Sequence, residues 1–202
     1  MNKMLMGREI KAFCWRDEAE KLSSLLSRLS FTDSDGVELP QERGFSTWSG
    51  LTRELRDNKR VCFLVGNGAS ASMASHISAD LAKNALVHTQ VFSDLSLITA
   101  MANDISYNDV YSEPLKARGA PGDMLVAISS SGKSPNILKA VEAAKGLGMT
   151  VVTLSAMGES NPLRASGGLN AYVPAKTYGN AETCHAAILH CWVDLLTLPD
   201  RS

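Results

Sequence analysis

The rhythm of apolar and polar positions changes partway along this chain. From Arg8 to Leu29, residues Ile10, Phe13, Leu22, Leu25, Leu26 and Leu29 recur among charged side chains and predict a helix. Phe31 to Arg43 (FTDSDGVELPQER) gathers Asp, Ser, Gly and Pro and reads as a loop. A second helical piece runs from about Ser46 to Asn58, with Trp48, Leu51 and Leu55 three and four residues apart. Neither helix makes a domain alone. Both need a larger body to pack on, such as another copy of the chain.

Past Lys59-Arg60 the pattern shifts to short, unbroken apolar runs. Val61–Val65, Met124–Ile128 and Met149–Leu154 are the clear ones; Val87–Phe92 and Ala171–Val173 are weaker. Helix-like segments alternate with them, at about Ala71–Ala85, Leu95–Ala102, Asn136–Leu147 and Ala181–Leu196. Pro135 stands where the first turn of the third of these begins. Apolar strands without alternation, joined by helices, predict a parallel sheet covered on both faces. The expected fold class is α/β, a doubly wound parallel sheet in three layers over residues 59–202, with a helical extension over residues 1–58. There is no internal repeat and no low-complexity tract.

Composition narrows the function. With 202 residues, 45% of them hydrophobic and 20% charged, the chain suits one globular domain with a sizeable core. Twenty Lys and Arg against twenty-one Asp and Glu give a net charge of −1, which leaves no basic surplus for nucleic acid. No apolar stretch approaches the roughly 20 residues of a membrane span. The opening MNKMLMGREIKAFCW lacks the apolar run and cleavage site of a signal peptide, so a cytoplasmic protein is expected. Cys14, Cys62, Cys184 and Cys191 show no CxxC spacing, as free thiols in a reducing compartment would.

Two strand ends carry unusual loops. Gly66-Asn67-Gly68-Ala69-Ser70 lets backbone N–H groups approach an anion at the start of the next helix. Ser129 to Ser134 (SSSGKS) offers four hydroxyls around one glycine, again at a helix start. Ser and Gly are common in turns and caps, so one such loop says little. Two at consecutive core strands point to a phosphate monoester. GNGASA also matches a dinucleotide fingerprint, but the acidic residue expected about 20 positions on is missing. AISSSGKS approaches a P-loop, with Ala127 in place of the first glycine and no Walker-B-type Asp after the Met149–Leu154 strand.

These loops and what lies between them resemble the sugar-isomerase (SIS) domain family, and more narrowly the bacterial sedoheptulose-7-phosphate isomerases. The likeness runs from about Val61 to Leu196. It rests on the GNGAS loop, His76-x-x-x-Asp80, Ala102-Asn103-Asp104, the Ile128–Ser134 loop, and the helix Glu182-Thr-Cys-His-Ala-Ala-Ile-Leu-His190. It implies a homotetramer built through the N-terminal helices, with active sites between subunits. Phosphate would be held by Ser129, Ser130, Ser131 and Ser134, with Asn67, Ser70 and Asp104 nearby. A divalent metal, commonly zinc in the family, would be held by His76, Asp80, Glu182 and His190.

Residue chemistry agrees with that implication. His76 and Asp80 lie i, i+4 on one helix face, and Glu182 and His190 are two turns apart. Two imidazoles and two carboxylates suit zinc or a similar first-row ion, with manganese and iron as alternatives. Two substitutions stand out against the family: Asp80 replaces its Glu, one methylene shorter, and Glu182 replaces its Gln. Asp80 and His190 are therefore assigned as the acid/base pair of an aldose–ketose isomerase, with Glu182 as an alternative base. The competing reading is a non-catalytic SIS protein, a sugar-phosphate sensor or a scaffold of the replication-initiator-associating type. The ionisable Asp80 and His190 favour the enzyme. His88 is expected at the surface, and His185 near the Glu182 side.

Overall fold

The computed structural model describes residues 13–198, so the start of the first predicted helix, including Ile10, lies outside the described residues. Chain order gives α1 (Trp15–Ser27), β1 (Ser30–Asp33), β2 (Glu38–Leu39), α2 (Gln41–Asp57), β3 (Val61–Gly66), α3 (Ala69–Asn84) and β4 (His88–Val91). It continues with α4 (Leu95–Asp104), α5 (Ser112–Arg118), β5 (Met124–Ser129), α6 (Pro135–Gly146), β6 (Thr150–Ala156), β7 (Leu169–Val173) and α7 (Tyr178–Thr197). The sheet order is β2-β1-β7-β6-β5-β3-β4. Strands β3 to β7 run parallel to one another.

The doubly wound reading holds, with one correction. The stretch expected to be a loop, Phe31 to Arg43, opens with an antiparallel hairpin that adds β1 and β2 beside β7, so the sheet is mixed. Its turn is closed by Asp33, whose Oδ1 accepts from the N–H groups of Asp35 and Val37 at 2.9 Å each. Turn-forming residues dominate the composition there and mask a short strand anchored by the fully buried Phe31. The segment between Ala102 and Met124, which carries no clear period, holds the short α5.

Alternate side chains of each central strand enter different layers. Cys62, Leu64, Met124, Val126, Ile128 and Val152 pack with buried residues of α1, α2, α3 and α7. Phe63, Val65, Leu125, Ala127 and Val151 pack with α5 and α6 on the other face. Truncating one of these, such as Leu64→Ala, should destabilise the fold by roughly 2–5 kcal/mol. The N-terminal helices find their larger body within the same chain. Leu25 and Leu29 are buried in the first cluster, and Leu22 and Leu26 lean on it. Trp48 of α2 stacks on Trp192 of α7 with ring centroids 4.2 Å apart, and the Trp192 indole donates to Thr52 Oγ1 at 3.1 Å.

The topology decides where a ligand sits. From β3 the chain passes to β4 on one side, then returns to β5 on the other. The crevice between the carboxyl ends of β3 and β5 is thus the switch point, the place where open α/β sheets bind ligands. Both unusual loops open onto it.

Candidate active site

Each loop turns through a glycine in the left-handed region. Gly68 has φ +55°, and Gly132 has φ +62°. At Gly132 space is also decisive, because an added Cβ would lie 1.8 Å from Asn161 Oδ1. These turns bring the N-termini of α3 and α6 together above the sheet, where their partial positive charge favours an anion. A cavity of about 170 Å³ lies there, lined by Asn67, Ser70, Ser129, Ser130, Ser131, Ser134, Tyr178 and Glu182. Ser129 Oγ and Ser134 Oγ are 3.2 Å apart across it. Every residue expected around phosphate lines this cavity except Asp104. That carboxylate is exposed at the end of α4, where it accepts from Asn103 Nδ2 at 2.8 Å.

Three of the four side chains expected to hold a metal gather where α3 packs on α7. His76 Nε2 is 3.3 Å from Asp80 Oδ2, and His190 Nδ1 approaches the same oxygen at 3.9 Å. The two imidazole rings meet edge to face at 5.2 Å. Among the described residues these three form the group whose donor atoms lie within 4.8 Å of one another. Two imidazole nitrogens and a carboxylate oxygen are a donor set that fits zinc. Glu182 stands apart from this trio. It is eight residues before His190 on α7, roughly 12 Å along the helix axis, and belongs to the wall of the serine cavity.

Several residues here escaped the sequence reading. Asn136, at the second position of α6, is buried and exchanges amide hydrogen bonds with Asn67. Tyr111 donates its hydroxyl proton to the Gly66 carbonyl, and Tyr178 closes one wall of the cavity. A single polar residue at a helix start reads as a cap, so the sequence alone gave no signal for Asn136. His185 is fully buried with neither ring nitrogen in a good hydrogen bond. Burial pushes its pKa down to about 4, an effect the nearby Ser155 backbone offsets only in part. His88 is exposed on the edge strand β4. A larger cleft of about 480 Å³ between α5 and α6 holds none of these residues, and its Lys139 is already paired with Asp109 at 2.8 Å.

Comparison with known proteins places the chain in a family. The family model described as the SIS domain matches residues 41–156. A phosphoheptose isomerase of Shewanella denitrificans is 39% identical over 178 residues, covering 82% of this chain and 90% of that relative. Among solved structures, a phosphoheptose isomerase from Neisseria gonorrhoeae superposes with a TM-score of 0.76 at 24% identity, over 90% of this chain and 94% of its own. Another from Francisella tularensis gives 0.77 at 24% identity, over 90% and 95%. The chain therefore belongs to the SIS-domain family, on the side of it that holds the phosphoheptose isomerases.

Proposed function

We propose that this protein is an aldose–ketose isomerase that converts sedoheptulose 7-phosphate, or a close relative, to D-glycero-D-manno-heptose 7-phosphate through an enediol. One observation carries the reading: a serine-lined cavity, with Glu182 in its wall, and a His-Asp-His cluster share helix α7. That spacing suits an elongated sugar held by its phosphate at one end and worked on at the other. The hydroxyls of Ser129, Ser131 and Ser134 and the two helix N-termini supply remote binding energy that fixes the reacting carbons.

Asp80 and His190 act as the acid/base pair. One takes the proton from the carbon beside the carbonyl, and the other returns a proton to the neighbouring carbon. Glu182, the carboxylate in the cavity wall, is the alternative base. A divalent metal, zinc by its donor set, would be held by His76, Asp80 and His190, without the Glu182 expected beside them. When bound it polarises the carbonyl and hydroxyl oxygens.

The cluster is open to solvent and several large apolar side chains are exposed, with Trp15 71% and Tyr178 62% exposed. These support a homotetramer with shared active sites, which light scattering at micromolar concentration tests; a monomer would reject it. The described helices include none long and apolar enough to cross a membrane. A cytoplasmic place in heptose supply for lipopolysaccharide, capsule or another glycoconjugate follows from this reading. Its direct test is deuterium incorporation from solvent into sedoheptulose 7-phosphate or its product. Exchange should depend on Asp80 and His190. No isomerisation or exchange with any heptose, hexose or pentose phosphate in metal-replete protein would leave a non-catalytic binding protein instead.

A further inference from the structure

We infer that Asn136 is a positioning residue for the phosphate end of the site: its amide pair with Asn67, seated on Tyr111, sets the spacing of the two anion loops. The inference rests on the phosphate reading above and deepens it.

The geometry is reciprocal. Asn67 Nδ2 donates to Asn136 Oδ1 at 2.9 Å, and Asn136 Nδ2 donates back to Asn67 Oδ1 at 2.9 Å. The two residues are 69 apart in sequence, one leaving β3 and the other entering α6. The pair thus joins the loop after β3 directly to the helix after β5. Asn136 is 2% exposed and does not line the cavity, so it acts on a ligand only through Asn67. Asn67 Oδ1 accepts from Asn136, and the Tyr111 hydroxyl lies 3.4 Å from the same oxygen. The same hydroxyl donates to the Gly66 carbonyl, which fixes the strand end just before the turn. Burial keeps that phenol protonated, its pKa pushed up to about 12.

A buried amide that loses its partner is left with unmet donors and acceptors, so each half of the pair holds the other in place. Without the bridge, each loop would still have its own turn and helix. What would be lost is their mutual distance. A phosphate bound by backbone N–H groups of one loop and hydroxyls of the other needs that distance set before it arrives.

The test is a double-mutant cycle on the full-length protein, read by calorimetric titration with inorganic phosphate and by thermal unfolding without it. Asn67→Ala and Asn136→Ala should each weaken phosphate binding about tenfold, because either one breaks the buried amide pair that sets the loop spacing. The double variant should bind no more weakly than the worse single. In turnover, Asn136→Ala should raise KM for the sugar phosphate with little change in kcat, a split that a general loss of folded protein would not produce. Where an alanine variant fails to fold, Tyr111→Phe removes a single hydroxyl, and phosphate binding should weaken severalfold with the fold intact. Three results overturn the inference: additive losses in the cycle, parent-like phosphate affinity in Asn136→Ala, or parent-like affinity in Tyr111→Phe. A parent protein that binds neither phosphate nor sugar phosphate would bring down the phosphate reading as well, and is thereby distinguished from those three.

Discussion

The serine cavity and the His-Asp-His cluster, two ends of one helix pair, are built on opposite plans. At the cavity Ser70, Ser129 and Ser130 are 4–5% exposed, both loops pivot on left-handed glycines, and polar side chains are tied to neighbours. At the cluster, His76 and His190 are 58% and 48% exposed, and Asp80 is 25% exposed. The first is rigid before any ligand arrives. The second is open to solvent and joined only through one shared carboxylate oxygen. The contrast fits a division of labour in which binding energy from a remote anion orients chemistry at a more open centre.

The largest effect that tests this division belongs to the open end. Asp80→Asn keeps the size of the side chain but removes both the proposed base and the charge facing two imidazoles. Solvent exchange and turnover should fall by a factor of about 10² or more, mainly in kcat. His76→Ala should lower the divalent metal found in the purified protein, since it removes one donor of a small set. Should Glu182→Gln be the severe variant and Asp80→Asn the mild one, the acid at the cavity wall carries the proton and the two ends are less separate than the geometry suggests. Asp80→Glu restores the reach of the family's residue and sharpens the assignment if activity rises.

The two ends also differ in how legible they were in the sequence. The anion loops follow unbroken apolar strands and use glycines and serines at helix starts, so strand, turn and ligand chemistry coincide within a few residues. His76 and Asp80 could be paired by helical spacing, and the structure brings His190 to them because α3 packs on α7. Glu182 shows the limit of that logic. Two turns on one helix give the same face, yet a rise of roughly 12 Å places it at the other end of the site. Asp104 lies apart from both groups within the chain. The β1–β2 hairpin was hidden because Asp33 and Gly36 make its turn in a stretch whose apolar residues are few. Of the apolar face of α1, expected to seek a second copy, Leu25 is buried in the chain's own core, Leu22 and Leu26 are partly covered by it, and Trp15 stays exposed.

A smaller effect separates the buried face of α7 from its exposed one. His185 lies inside, one turn after Glu182, and its pKa falls from 6.5 to about 4 because burial disfavours the imidazolium. Between those values the unfolded chain binds a proton that the folded chain does not. Stability is therefore full above pH 6.5 and declines as pH falls toward 4. Between pH 7 and 5 the loss should be about 2 kcal/mol, measured by urea unfolding at both values. His185→Gln carries no titrating ring and should flatten that part of the profile. An unchanged slope would place the buried charge cost on another group.

The smallest effect tests the rigid end alone. Ser131 is half-buried in the cavity wall, and its Oγ accepts from the Lys133 N–H at 3.3 Å, a long contact that leaves the hydroxyl proton available. Ser131→Ala removes one donor among several that face the phosphate, and the surrounding turn keeps Gly132 and Asn161 in place. Loss of a single hydrogen bond to a charged group should raise KM for the sugar phosphate about tenfold. Because the lost contact is made equally in the ground state and the transition state, kcat should hold while KM moves, the reverse of Asp80→Asn. Binding of the unphosphorylated sugar should be unaffected by the substitution. A parent protein that binds phosphorylated and unphosphorylated sugars equally well would contradict the phosphate role. If instead Ser131→Ala lowers kcat as much as it raises KM, the rigid end takes part in the chemical step, and the two ends form one coupled machine.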